Sequence, residues 1–263
     1  MGEIILQVKD LAVQFNSPDG AVRVVDGVTF DIKKGEVFGL VGGSGSGKTL
    51  TALSMLKLLP PQARIVFGKI FFMGCDLIWQ REEEMRALRG SRISIVFQEP
   101  GSSLDPVFTI GSQMMEVITA HREVKKDDAR DIVIKYLKRV HIPSPEKIFY
   151  DYPHQLSGGT KQRIMIAMAL MNSPELVILD EPTTALDVTI QSQILDLLGE
   201  IIEKDKLSAL FISHDFGIIK RMCGSLAVMN KGRIVEAGDT AKILAGPKDP
   251  YTISLLESVR ALS

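Results

Sequence analysis

VFGLVGGSGSGKT, Val37 to Thr49, is an apolar pentad that breaks into a glycine-rich loop and ends on a lysine and a threonine. The pentad reads as a buried strand, and the residues from 49 to 59 read as a helix ending near Pro60-Pro61. Between them, Gly42, Gly47, Lys48 and Thr49 occupy the fixed places of the pattern G-x-x-x-x-G-K-[ST]. Glycine has no Cβ, so backbone N–H groups can turn inward around a phosphate. Lys48 would reach the β- and γ-phosphates of a nucleotide, and the Thr49 hydroxyl could ligate Mg²⁺. Phosphates so held sit at a helix N-terminus, where the dipole favours anions. A chance glycine turn is the alternative, but it would have no reason to stand between a strand and a helix.

Working outward, residues 4 to 37 read as short β segments: ILQV, LAVQF, a turn at NSPDG, then VRVV and VTFDI. Further apolar strands are expected at ISIVF (Ile93 to Phe97), LVIL (Leu176 to Leu179) and ALFIS (Ala209 to Ser213). Between Gln98 and about Arg163 the pattern is helical. DARDIVIKYLKRV, Asp128 to Val140, is amphipathic, with Ile132, Ile134, Leu137 and Val140 near helical spacing. A hairpin follows at LAVM-NKG-RIVEAG, and the tail YTISLLESV reads as a last short helix. Met165, Met168 and Met171 space helically and are expected in the core. Apolar strands alternating with helices imply a mostly parallel α/β sheet.

Three of those strands end on chemistry. LVILDEP places Asp180 and Glu181 at a strand end. A carboxylate there can hold Mg²⁺ through water, and the neighbouring one can polarise a water for attack on a γ-phosphate. A DE turn capping the next helix is the alternative. His214, after FIS, stands at an equivalent end and is a candidate γ-phosphate sensor, or else a structural histidine. Gln98 ends ISIVF and could contact Mg²⁺ or the attacking water. Ligands of open parallel sheets bind at the carboxyl ends of strands, so four strands are expected to deliver these groups to one edge. A second glycine turn into a helix, LSGGTKQR (Leu156 to Arg163), has no evident use for a chain that already holds one phosphate grip.

The order GGSGSGKT, FQEP, LSGGTKQR, VILDEP, TTALD, SHD resolves that puzzle. Over essentially the whole chain it resembles the nucleotide-binding domain of an ABC transporter. The resemblance implies an α/β fold with a P-loop NTPase (RecA-like) core, an N-terminal antiparallel β subdomain and an inserted α-helical signature subdomain. It would be one domain over 1–263, with the β subdomain and core at about 1–97 and 164–263 and the helical subdomain at about 99–163. It implies ATP and Mg²⁺. Gly42, Gly43, Ser44, Gly45, Ser46, Gly47, Lys48, Thr49 and Leu50 would cradle the nucleotide, with Thr49, Gln98 and Asp180 toward the metal. Glu181, His214 and Gln98 would be the catalytic set. Ser157, Gly158 and Gly159 would bind the γ-phosphate held by a partner domain in a head-to-tail dimer, and Asp187 would link the two sites. Phe15 matches the aromatic that stacks on adenine, usually a tyrosine; a core aromatic is the other reading. Thr160 stands where the commonest signature has glutamine.

Composition limits the family members that fit. A formal net charge of -1 gives no basic field for nucleic acid, and no coiled-coil heptads or tandem second domain occur, which disfavours soluble repair and translation ATPases. Two cysteines among 263 residues argue against a disulfide framework and for a reducing compartment. The N-terminus lacks a signal-peptide pattern. The clearest apolar run, IMIAMALM, is far short of the roughly 20 residues that span a bilayer. The expected place is peripheral, on the cytoplasmic face of the cell membrane. Expected partners are two membrane permease subunits, docking near residues 98 to 108, a second ATPase subunit that is a relative or else a copy of this chain, and indirectly an extracellular substrate-binding protein. FQEPGSSLDPVFTIG, YPHQLSGG and GPKDPYTISLL resemble the peptide/nickel importer subfamily. The wording VGGSGSGKTLT and the lack of a cysteine-containing extension lean the cargo to nickel or a metal chelate, with di- or oligopeptides as the alternative and no cargo metal site on this subunit.

Overall fold

The computed structural model describes residues 2–17, 20–184 and 186–260. In chain order it contains β1 (Ile4–Ser17), β2 (Gly20–Lys33), β3 (Val37–Val41), α1 (Lys48–Met55), β4 (Ala63–Phe72), β5 (Cys75–Asp76), α2 (Glu82–Leu88) and β6 (Ile93–Val96). Helices α3 (Pro100–Ser103), α4 (Ile110–Thr119), α5 (Lys126–Arg139), α6 (Pro145–Ile148) and α7 (Gly158–Leu170) follow. Then come β7 (Leu176–Asp180), α8 (Val188–Asp205), β8 (Ser208–Ser213), α9 (Phe216–Met222), β9 (Ser225–Asn230), β10 (Arg233–Asp239), α10 (Thr240–Ala245) and α11 (Pro250–Arg260). The chain forms two compact units, Met1–Arg86 with Lys206–Ser263, and Ala87–Asp205.

The first unit holds an antiparallel sheet in the order β2-β1-β4-β5 and the strands β10-β9-β3-β8. β3 runs parallel to both β8 and β9, while β10 returns antiparallel to β9. The expected hairpin therefore forms. Its turn, Lys231-Gly232, has positive φ at both residues (46° and 82°), the twist that two-residue hairpin loops favour. β8 is buried at all six positions and β3 at four of five. Such unalternating burial marks a strand covered on both faces. Phe30 of β2 stacks on Phe38 of β3, ring centroids 5.1 Å apart, tying the antiparallel sheet to the parallel strands.

The N-terminal β segments differ from the sequence expectation. ILQV and LAVQF are one strand, β1, with a bulge between Val8 and Leu11. Asp10 adopts a left-handed φ of 49° there, and its N–H donates to Thr29 Oγ1 at 2.8 Å. The bulge breaks the period-two pattern, so the strand reads as two. β4, which pairs with β1, carries Gly68 opposite that bulge. A Cβ on Gly68 would lie 2.6 Å from Leu11 Cα.

The second unit pairs β6 with β7 in parallel and packs helices around them. In α5 the buried residues are Ala129, Val133, Tyr136 and Leu137, followed by Val140; Ile132 and Ile134 are only half-buried. Met165 and Met171 are buried and Met168 half-buried. Among the described residues no helix is long and apolar enough to cross a membrane.

The two cysteines sit in opposite surroundings. Cys75 is exposed, whereas burial pushes the Cys223 thiol up to about 12. At pH 8 that leaves a thiolate fraction of roughly one in ten thousand. Alkylation of the native protein is expected to label Cys75 alone, with Cys223 reacting only after denaturation. Mass spectrometry of iodoacetamide-treated protein checks this, and comparable native labelling at Cys223 would contradict its burial.

Candidate functional site

In the first unit the carboxyl end of β3 opens directly into the loop Gly42–Thr49. The backbone there cannot tolerate side chains at two points. A Cβ on Gly42 would lie 2.2 Å from the Met229 carbonyl oxygen and 2.8 Å from Ser46 Oγ. Gly47 has φ +104°, and its Cβ would lie 2.8 Å from the Val24 carbonyl oxygen. Glycine is thus required both by space and by the left-handed backbone that starts α1.

Lys48 is 5% exposed, and its ammonium donates to the carbonyls of Gly42 at 2.8 Å and Gly43 at 3.0 Å. A buried ammonium needs such acceptors, and an arriving phosphate would offer stronger ones. Ser46 is also buried, and its Oγ has no hydrogen-bond partner among the described residues. An orphaned buried hydroxyl in a cradle with no room for side chains fits a polar ligand. Ser44, Gly45 and Thr49 are exposed, and Leu50 and Gly43 half-buried.

His214 follows β8, whose Ser213 is in register with Val41 of β3. Loop and histidine therefore lie at the same ends of adjacent strands. His214 is exposed, and Asp215 next to it caps α9 by accepting the Gly217 N–H at 2.6 Å. Phe15 lies on β1 opposite Val22 and Ala63, half-buried rather than in the core.

The second unit assembles the acidic pair and Gln98 in the same way. Val96 and Leu179 are in register, so Gln98 and Asp180-Glu181 leave neighbouring strand ends. Asp180 is 2% exposed. Glu181 holds a left-handed φ of 46°, a sparsely populated conformation for a glutamate. Such outliers cluster at functional sites. Its Oε2 accepts from Gln98 Nε2 at 3.3 Å and from Thr184 Oγ1 at 2.9 Å. Thr184 belongs to TTALD, yet nothing in the sequence marked it as a partner of the glutamate.

The second glycine turn begins α7. Ser157 caps it, accepting the Thr160 N–H at 3.3 Å and sharing a 2.9 Å hydrogen bond with the Thr160 hydroxyl. Ser157 and Gly158 are exposed. Gly159 is fixed by packing, because a Cβ would meet Ile190 of α8 at 2.7 Å. Asp187 is exposed and caps α8, accepting the Ile190 N–H at 3.0 Å.

Among the described residues no group of three or more His, Cys, Asp or Glu could hold a metal. Mg²⁺ does not ask for one, since it takes one or two protein carboxylates and completes its shell with phosphate oxygens and water. Taken unit by unit, the first offers the exposed Thr49 hydroxyl and the second the Gln98 amide oxygen and the buried Asp180 carboxylate, all hard oxygens of the kind Mg²⁺ takes.

The profile of the family described as "ABC transporter" matches residues 25–184. The chain is 45% identical over 258 residues to a probable peptide ABC transporter ATP-binding protein of Sinorhizobium fredii, covering 98% of the chain and 77% of the relative. It is 45% identical over 261 residues to the dipeptide transport ATP-binding protein DppD of Bacillus subtilis, covering 99% and 78%. Among solved structures, CbiO1 of Clostridium perfringens, part of the transporter complex CbiONQ, superposes with a TM-score of 0.77 at 30% identity, covering 93% of this chain and 92% of that one. A dimeric ATP-binding cassette bound to ADP and Pi superposes with a TM-score of 0.80 at 24% identity, covering 89% and 98%, a likeness of fold.

Proposed function

We infer that this chain, which belongs to the ABC transporter family and hydrolyses ATP to drive transport, is the motor subunit of a peptide importer. The observation that carries the motor role is the loop Gly42–Thr49, a strand-end cradle with a buried lysine and an orphaned buried serine hydroxyl. For the cargo, support comes from the two relatives at 45% identity, both of which carry peptide transport names. Nickel or a metal chelate is the second reading, on the wording VGGSGSGKTLT.

The proposed roles follow the resemblance residue by residue. Residues 42–50 cradle the triphosphate, with the Lys48 charge on the β- and γ-phosphates, and Phe15 faces adenine. Thr49, Gln98 and Asp180 are the proposed Mg²⁺ ligands, the ion supplying charge neutralisation on the phosphates when bound. Glu181 polarises the attacking water, and His214 senses the γ-phosphate. Ser157, Gly158 and Gly159 are offered to the nucleotide of a second ATPase subunit, with Asp187 between the two sites. The helical segment 99–163 is the subdomain that presents them. Two permease subunits at the cytoplasmic face of the membrane would receive the motion.

The cargo never meets this chain, so its test lies with the extracellular binding protein. Calorimetry of that protein with dipeptides, nickel and nickel chelates is expected to show peptide binding alone. Binding of nickel or a chelate without peptide would overturn the peptide reading.

A further inference from the structure

Two hydrogen bonds from outside reach the phosphate loop. One comes from the β9–β10 turn, whose Gly232 N–H donates to the Ser46 carbonyl at 2.9 Å. The other comes from the last helix: the Gly43 N–H donates to the Tyr251 hydroxyl at 2.9 Å. The Gly43 carbonyl in turn accepts the Lys48 ammonium at 3.0 Å and the Ser46 N–H at 3.3 Å. One glycine therefore joins the phosphate lysine, the loop interior and α11.

Tyr251 is itself anchored. Asp249 Oδ1 accepts the N–H groups of Tyr251 at 2.8 Å and Thr252 at 3.4 Å. Glu236 on β10 accepts the N–H groups of Lys248 at 2.9 Å and Asp249 at 3.2 Å. The hydroxyl thus stands at the end of a hydrogen-bonded path that starts on β10. A Cβ at residue 43 would lie 3.0 Å from the tyrosine oxygen, closer than ordinary contact, so a side chain there crowds the hydroxyl.

We propose that Tyr251 is a positioning residue for nucleotide binding: its hydroxyl fixes Gly43, and through it Lys48, so that helix α11 sets how tightly the phosphate loop grips ATP. The proposal rests on the reading of Gly42–Thr49 as the nucleotide cradle. Without the hydroxyl the Gly43 N–H loses its acceptor and the loop populates other conformations. Nucleotide binding must then order the loop, and affinity falls by the fraction of competent loop. The coupling is reciprocal, so bound nucleotide also tightens α11.

The test uses the full chain and MgATP calorimetry on wild type, Tyr251→Phe, Gly43→Ala and the double variant, with thermal midpoints of the nucleotide-free proteins. Phenylalanine keeps the ring and removes only the hydroxyl. Tyr251→Phe is expected to weaken MgATP about three- to tenfold, the range of one neutral hydrogen bond, with a nucleotide-free midpoint near wild type. Gly43→Ala displaces the same hydroxyl, so the double variant should lose no more than the worse single one. MgATP should also slow hydrogen exchange in α11 of wild type and not of Tyr251→Phe. A tyrosine that merely packs would give wild-type affinity in the phenylalanine variant; affinity within twofold of wild type, or additive losses in the double variant, overturns the proposal. A wild-type chain that binds no MgATP overturns the cradle reading instead, and the proposal with it.

Discussion

Replacing Lys48 by alanine is expected to lower ATP hydrolysis about 10²–10³-fold, the loss that follows removal of one preorganised donor to developing charge. The geometry gives two reasons. Lys48 is almost fully buried, so its charge acts on a phosphate through little intervening water. Its ammonium also draws in the carbonyls of Gly42 and Gly43. Those dipoles would otherwise point toward an anion, and the lysine is what offsets them. Lys48→Met separates the two effects, since it keeps the apolar stem that fills the site and removes only the charge. Both variants should lose ATP binding by calorimetry, while Lys48→Met should hold a thermal midpoint nearer wild type than Lys48→Ala. Near-normal turnover by the assembled transporter carrying either variant would sink the assignment of residues 42–49.

What could be read without coordinates was what chemistry or continuous burial constrains. Val37–Val41 is a strand with the boundaries its apolar run suggests, because a strand buried on both faces has no alternation to be confused by. Gly42 and Gly47 were legible as positions that must be glycine, because the pattern sets them in a tight loop between a strand and a helix, and the fold leaves neither room for a Cβ. Legibility failed where one element interrupts another's period. The bulge at Asp10 split β1 into two apparent segments, and Gly68, which fits against it, hid β4 altogether. On α5 the isoleucines drew attention to the wrong face, while an alanine and a tyrosine carry much of the buried stripe. Thr184 and Tyr251 failed for a different reason. Their significance is a contact, and the contact of Tyr251 with Gly43 joins residues 208 apart in the chain. No local pattern encodes such a pair; only the fold of β10 and α11 brings it about.

Glu181→Gln is the sharper chemical test, because the surroundings of this side chain survive the change. Glu181 Oε2 accepts from Gln98 and Thr184. A glutamine side-chain oxygen can accept both in the same geometry, and glutamine is no worse suited than glutamate to the left-handed φ of 46° at this position. Glu181→Ala would instead strip both donors of their acceptor, so loss of activity there would mix chemistry with local collapse. What glutamine cannot do is take a proton from water. If Glu181 is the general base, Glu181→Gln should lower kcat about 10²–10⁴-fold while leaving ATP binding intact. If the proposed head-to-tail pairing with a second ATPase subunit holds, binding without turnover should then accumulate that ATP-bound dimer, seen as an earlier elution on gel filtration in ATP but not in ADP. Turnover within tenfold of wild type would remove Glu181 from the water-activating role and leave Asp180, buried one residue before it, as the group to test next. Loss of both turnover and ATP binding would instead place Glu181 in the grip on nucleotide, because a residue that acts only on the attacking water has no term in ground-state affinity.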